Sequence, residues 1–345
     1  NSLLSVEFPD LELLQRFDVP GPRYTSYPTA DRFSKDFGAK DFESVLAARP
    51  EGRDLSIYVH IPFCSNICYF CGCNKEVTKD HSRSKEYIEV LAMECDNVAK
   101  VLGGSRKVEQ LHFGGGSPTF LNNDEILEVM RVITERFPLA EGAEVSVEVD
   151  PRTTPVDKVA ALAKAGFNRM SVGVQDFNER VQIAINRVQP FEQTKAVFDA
   201  ARANGFHSIN MDLIYGLPFQ SRETFAHTLD KVIELSPDRI ALYHYAHLPE
   251  HFKAQRRINA ADLPPSPEKV GIMMDAITRL SESGYHYIGM DHFAKRTDEL
   301  AKAQEEGTLQ RNFQGYSTKP ECDMVALGVS SISKVHGCYA ANPRD

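Results

Sequence analysis

The sequence predicts an α/β protein built as a partial (βα)6 barrel, with an N-terminal arm and a C-terminal extension. Three observations carry this. From Leu55 onward, short β-rich runs alternate with helical periodicity, the pattern of βαβ units around a parallel sheet. Six such units occupy residues 55–249, close to six eighths of the ~250 residues of a closed eight-stranded barrel. The predicted strands also divide into one apolar and one polar side.

The first 50 residues come before this pattern. They hold a short helical stretch, Leu11–Phe17, and then Pro20-Gly21-Pro22-Arg23-Tyr24-Thr25-Ser26-Tyr27-Pro28, whose proline density excludes a long regular element. They are read as an arm, residues 1–50, lying over the active site. The strands follow at Leu55–Ile61, Val108–Phe113, Glu144–Val149, Arg169–Val174, Ser208–Ile214 and Arg239–Tyr245. The helices fall at Ser84–Leu102, Asp124–Phe137, Pro155–Ala165, Phe191–Asn204, Arg222–Leu235 and Pro267–Ser283. Asn123 is a candidate cap, Pro155 a candidate first turn, and Gly166, Gly205 and Gly284 stand where helices should stop. The barrel is assigned to residues 51–285. Residues 286–345 are a sheet extension and the start of a C-terminal region. The chain begins at Asn1 and stops at Asp345 just after Asn342-Pro343, so both ends read as incomplete.

Alternation separates the two sides of the sheet. Val145, Val147 and Val149 oppose Glu144, Ser146 and Glu148, while Met211, Leu213 and Tyr215 oppose Ser208, Asn210 and Asp212. A closed barrel fills its lumen with branched apolar side chains. Here that side is polar, so it should meet water or a large polar ligand, since unpaired polar groups are expensive to bury. The sixth strand departs from the pattern, with Leu242, His244 and Ala246 on one side.

Composition narrows the function. Hydrophobic residues make up 42% and charged residues 25% of the 345, ordinary for a soluble globular chain. The net charge of −9 argues against nucleic acid or an anionic membrane as the main partner. The absence of a ~20-residue apolar run and of a leader-like N-terminus predicts a cytoplasmic protein, and a monomer is expected. Four of the seven cysteines crowd into Cys64-Ser65-Asn66-Ile67-Cys68-Tyr69-Phe70-Cys71-Gly72-Cys73, a poor disulfide framework and a good metal or cluster site. Cys95 reads as a small buried hydrophobe, and Cys322 and Cys338 give no signal.

This loop leaves the C-terminal end of the first strand, where barrel enzymes place their chemistry. Closely spaced thiolates suit a soft metal or an iron–sulfur cluster, and three ligands from one loop leave a fourth iron open. A zinc site or a four-cysteine electron-transfer cluster is the plainer alternative. Gly114-Gly115-Gly116-Ser117 after the second strand lets backbone approach a ligand, although alone it is more often a turn.

Cys64-x-x-x-Cys68-x-Phe70-Cys71 after a first barrel strand resembles the radical S-adenosylmethionine (radical SAM) superfamily. More narrowly, Tyr58-Val-His-Ile-Pro-Phe-Cys64, Cys73 with Asn74-Lys75, and the Pro22–Pro28 arm resemble the oxygen-independent coproporphyrinogen III oxidases, from Pro20 to at least Ala341. The resemblance implies a partial (βα)6 TIM-like radical SAM barrel in which Cys64, Cys68 and Cys71 ligate a [4Fe–4S] cluster. S-adenosyl-L-methionine would bind the open iron and be cleaved to a 5′-deoxyadenosyl radical. Cys73 matches a cysteine that is not a ligand.

The resemblance also implies contacts to a first S-adenosylmethionine from Tyr58, Phe70, Ile332, Gly114, Gly115, Gly116, Ser117 and Glu148. Gln175, Arg187, Asp212 and Ala246 match contacts to a second molecule. Taken singly, each would be a packing group or a surface charge. The implied substrate, coproporphyrinogen III, carries four propionates, and a buried carboxylate without a partner is costly. Arg23, with Arg311 in Gln-Arg-Asn-Phe-Gln-Gly-Tyr316 as a second candidate, is expected to meet them. Tyr58, Arg23 and Cys73 are the expected catalytic positions. The implied reaction is oxidative decarboxylation of two propionates to vinyl groups, giving protoporphyrinogen IX in haem biosynthesis, with flavodoxin or ferredoxin as electron donor.

Three rival readings stand beside this one. A haem chaperone resembling this family typically lacks the fourth loop cysteine and the arm, both present here. A methyltransferase or cyclopropanase on the same scaffold would act on another substrate. A ferredoxin-like carrier does not account for six βα units with a polar lumen.

Overall fold

The computed structural model describes residues 10–16, 29–48, 53–103, 106–312, 315–319 and 322–345. Eleven strands form its main sheet: β1 (Leu55–Ile61), β2 (Val108–Gly115), β3 (Leu139–Val149), β4 (Arg169–Gln175), β5 (Ser208–Tyr215), β6 (Arg239–His244), β7 (Tyr285–Gly289), β8 (His292–Lys295), β9 (Asp323–Leu327), β10 (Ile332–Val335) and β11 (Cys338–Ala341). Their order across the sheet is β11-β10-β9-β1-β2-β3-β4-β5-β6-β8-β7. The run from β9 to β6 is parallel throughout. The C-terminal extension therefore adds strands at both edges, and β9 supplies a seventh parallel strand beside β1. Antiparallel strands β8 and β10 then border β6 and β9.

Six helices cross over between or follow the parallel strands: α1 (His81–Leu102), α2 (Asn123–Arg136), α3 (Val156–Ala165), α4 (Phe191–Ala203), α5 (Arg222–Leu235) and α6 (Ser266–Glu282). Their ends follow local chemistry. Asn122, one residue before the expected cap, forms a capping box with Glu125. Asp80 accepts from the Ser82 N–H at the start of α1, and Gly166 closes α3 in the left-handed conformation. The apolar side of the sheet packs on these helices. Val145, Val147, Met211 and Leu213 are buried with Val129, Ile133, Leu162 and Val232 in one core, each fully buried aliphatic contributing roughly 1.5–3 kcal/mol.

The opposite side stays polar. Gln110, His112, Glu144, Ser146, Arg169, Ser171, Asn210 and Asp212 line a cavity of about 240 Å³. β6 obeys the same alternation once its limits are known. The strand ends at His244, so Ala246 lies beyond its register. Arg239 and Tyr243 face the lumen, while His244 points away and stacks on Tyr215 at 5.0 Å. The C-terminal hairpin is tied down by Asn342, whose Nδ2 donates to Glu94 Oε1 at 2.6 Å and to Gly328 O at 2.9 Å.

Candidate active site

The cysteine loop leaves β1 at Pro62 and is closed by a two-residue parallel ladder between Phe63–Cys64 and Glu76–Val77. Tyr69 N donates to Ile185 O at 2.9 Å, Asn186 Nδ2 to Ile67 O at 2.8 Å and Gln255 Nε2 to Phe70 O at 3.0 Å. A His60 ring nitrogen meets Asn74 O at 3.0 Å. Cys64, Cys68, Cys71 and Cys73 consequently rim one cavity of about 290 Å³, together with Phe70, Gly115, Gly116 and Ser117.

The donor set fits an iron–sulfur cluster. Cys68 is buried, and its sulfur receives Arg152 Nη2 at 3.3 Å and Arg187 Nη1 at 3.6 Å. Cys73 donates its backbone N–H to Cys71 Sγ at 3.4 Å. Such donors stabilise sulfur that carries negative charge. The Cys71 thiol is pulled down to about 6 by its side-chain hydrogen bond with Cys73 and by the Lys75 ammonium. Burial, with the neighbouring Cys71 and Cys68, pushes Cys64 up to about 12. Sulfurs that resist ionising together are ones an iron core would neutralise. Among the described residues, no three His, Cys, Asp or Glu side chains are grouped to hold a single metal ion.

Glu148 lines the same cavity. It accepts from the Gly115 N–H at 3.3 Å and lies 3.4 Å from His112 Nε2. A Cβ on Gly114 would meet its Oε1 at 2.8 Å and the Tyr58 ring at 3.0 Å, so the glycine run is pressed between these side chains. Tyr58 stacks on His112 at 5.8 Å, its hydroxyl 3.2 Å from His60 Nδ1. Gln175 takes a positive φ of 68° at the end of β4 and is buried. Burial pushes Asp212 up to about 6, although Ser171 Oγ and Asn210 Nδ2 donate to it at 2.9 and 2.8 Å.

Phe70, Gly115, Gly116, Ser117, Glu148, Gln175, Arg187 and Asp212 are thus brought together on one cavity. Tyr58 and Gly114 stand behind Glu148. Ala246 and Ile332 line neither cavity: the Ala246 carbonyl accepts from Gln255 Nε2 at 3.1 Å, and Ile332 opens β10 opposite Ala341. Arg23 lies outside the described residues. Arg311 is 3.5 Å from Asp291 and 4.7 Å from the Tyr316 ring centroid.

Sequence reasoning missed Asp150 and Arg152, which act together on the cavity. Asp150 holds Arg152 through Nη2 at 2.7 Å and Arg187 through Nη1 at 3.3 Å, aiming both at Cys68. Against the effect of its burial, Arg187 and Arg152 keep the Asp150 carboxyl below the usual carboxylate range. A signal existed, since Asp150 follows Glu148 by two positions and so continues its side of the strand.

The family description Radical SAM superfamily matches residues 58–232. The oxygen-independent coproporphyrinogen III oxidase of Escherichia coli K12 is 51% identical over 336 residues, covering 97% of this chain and 73% of that protein. The Pseudomonas aeruginosa protein of the same name is 49% identical over 339 residues, with 97% and 74% covered. Among solved structures, coproporphyrinogen III oxidase (HemN) from Escherichia coli, described as a radical SAM enzyme, superposes with a TM-score of 0.92 at 49% identity, covering 97% of this chain and 75% of that one. Likeness along nearly the whole chain, at half identity and with the cysteine rim in place, leaves one assignment: the chain belongs to the radical SAM superfamily and, within it, to the oxygen-independent coproporphyrinogen III oxidases.

Proposed function

We propose that the chain converts two propionate side chains of coproporphyrinogen III to vinyl groups, yielding protoporphyrinogen IX for haem synthesis without oxygen. The observation that carries this is the cysteine rim facing Glu148, Gln175 and Asp212 across one cavity, in a chain 51% identical to a protein of that named activity. Each propionate gives up a hydrogen atom from its β-carbon and carbon dioxide, and the one electron left over passes to an external one-electron acceptor.

Cys64, Cys68 and Cys71 would hold a [4Fe–4S] cluster, which with S-adenosylmethionine supplies the hydrogen-abstracting chemistry. The glycine run, Ser117 and Glu148 would seat the S-adenosylmethionine on that cluster, with Tyr58 and Phe70 shaping its surroundings. Gln175, Arg187 and Asp212 would serve a second molecule, toward which Ala246 would contribute from further off, while Ile332 would contribute to the first from outside the cavity. Cys73 acts through its N–H on Cys71, and Arg23, on an arm of residues 1–50 over the site, meets a propionate.

An outside reductant such as flavodoxin or ferredoxin delivers electrons to the protein, which works as a cytoplasmic monomer. No helix among the described residues is long and apolar enough to cross a membrane. Anaerobic incubation of reconstituted protein with coproporphyrinogen III, S-adenosylmethionine and dithionite is expected to release one carbon dioxide per vinyl group formed, two per protoporphyrinogen IX. Formation of 5′-deoxyadenosine without either would reject the substrate while keeping the superfamily chemistry.

A further inference from the structure

Two segments distant in sequence grip the cysteine loop from outside the cavity. One is residues 179–188, bonded to the loop through Ile185 O and Asn186 Nδ2. The other is the turn Lys253–Arg257, bonded through Gln255 to Phe70 O. The Phe252 ring beside that turn lies so close to Gly72 that a Cβ there would meet it at 2.9 Å. Val181, Ile185, Ile214, Leu217, Tyr245 and Ile258 form a separate apolar cluster below the loop, with Tyr69, Phe70 and Phe219 packed on it.

The outer surface of these segments is cationic. Arg180 lies 4.0 Å over the Phe219 ring and Arg257 lies 5.2 Å over the Tyr69 ring. Both are exposed, as are Lys253 and Arg256. Among the described residues, none of the four has a carboxylate partner, and Arg256 donates only to Pro249 O. Glu179 and Glu250 are the exposed acids on the same segments. This local excess of cations runs against a chain of net charge −9. Ile183 and Val188 add apolar surface, 60% and 52% exposed. None of the four cations lines either cavity, so substrate carboxylates held inside do not account for them.

We infer that this face docks a small acidic one-electron carrier protein, which passes electrons through the loop to the cluster. The inference rests on the cluster chemistry of the proposed function, which consumes electrons delivered from outside the chain. The four cations steer a negatively charged partner, and Ile183 and Val188 give it apolar contact. Tyr69, Phe70 and Gly72 place the docked surface against the cluster loop itself.

The test is stopped-flow bleaching of the reconstituted cluster by reduced flavodoxin of net negative charge, with dithionite as the control reductant. Two charge-reversed proteins are compared, Arg180→Glu/Arg257→Glu and Lys253→Glu/Arg256→Glu, the second lying away from the ring stacks. Each is expected to lose about tenfold in the flavodoxin-driven rate at low salt, with the dithionite-driven rate unchanged. Raising the salt should slow the unaltered protein toward the same value. An unchanged flavodoxin rate in both variants overturns the inference. So does an equal fall in both rates, which would mean that the loop itself had been disturbed. A raised KM for coproporphyrinogen III with normal flavodoxin reduction also overturns it. If the unaltered protein is reduced by flavodoxin in a charge-dependent way yet does not consume coproporphyrinogen III, the substrate assignment fails and the docking face stands.

Discussion

Arg152 Nη2 donates to the sulfur of Cys68 at 3.3 Å, and Asp150 fixes that arginine with a bidentate grip through Nε and Nη2 at 3.0 and 2.7 Å. The cation is thereby held against a predicted cluster ligand in a pocket where water screens it little. Positive charge beside a cluster favours the reduced, more negative state, and a unit charge at close range is worth on the order of 2 kcal/mol at an intermediate dielectric. Arg152→Gln is expected to lower the midpoint potential of the reconstituted cluster, and Arg152→Lys to lower it less. Redox titration followed by electron paramagnetic resonance checks this, and a midpoint unmoved in Arg152→Gln would deny Arg152 a tuning role.

Asp212 yields a prediction in pH. Burial raises its carboxyl to about 6 from an ordinary value of 3.8. The folded chain therefore binds a proton more tightly than the unfolded one, so this group's contribution to stability falls as pH rises from about 4 to 6. Above that window the ionised, buried carboxylate costs on the order of 3 kcal/mol. Asp212→Asn should be more stable than the unaltered protein at pH 7.5, with the advantage shrinking as pH falls through 6 toward 4. Urea unfolding across that range measures it.

Gly115 cannot be replaced cheaply. Its φ is +116°, and a Cβ would stand 2.8 Å from the His60 ring, which is already committed to Asn74 O and Tyr58. Gly115→Ala should cost about 1–3 kcal/mol through backbone strain alone. It should also displace the N–H that meets Glu148. The expected outcome is weakened S-adenosylmethionine binding by equilibrium dialysis, with the cluster's iron and sulfide content unchanged.

How much of this was legible depended on whether a residue's role is written in periodicity. β1 to β6 were readable because each has one side on the helices and one on a polar lumen, so alternation survives. β9 was not readable: Asp323–Leu327 is buried along its whole length, which erases the alternation. Nothing local announces that it pairs with β1, more than 260 residues earlier. The cluster site was legible from cysteine spacing, and the resemblance then singled out Cys64, Cys68 and Cys71 as its expected ligands. Asp150 and Arg152 were harder to see: Asp150 continues the Glu148 side of its strand, but a strand-end Asp-Pro-Arg looks like any solvated turn until the fold sets Cys68 beside it. Ala246 and Ile332 came only from resemblance, and neither shares the cavity that Phe70, Glu148, Gln175, Arg187 and Asp212 line.

Asn342 was equally silent, reading as no more than a breaker before Pro343, yet it ties the last hairpin to α1. Its Nδ2 donates to Glu94 Oε1 at 2.6 Å, while Glu94 Oε2 accepts from Gly328 N at 2.8 Å. Glu94 is a largely buried carboxyl that burial drives upward and these two donors pull back. Asn342→Ala would leave one oxygen of it unpaired, at about 1–3 kcal/mol, and would raise the Glu94 carboxyl further. A carboxyl raised in the folded state costs most where it is forced to ionise. The destabilisation in urea should therefore be larger at pH 8 than at pH 5.5. Glu94→Gln should be less sensitive to pH than Asn342→Ala, because its neutral amide has no charge to desolvate. A loss in Asn342→Ala that is the same at both pH values would place the effect in hairpin packing, not in the buried carboxylate.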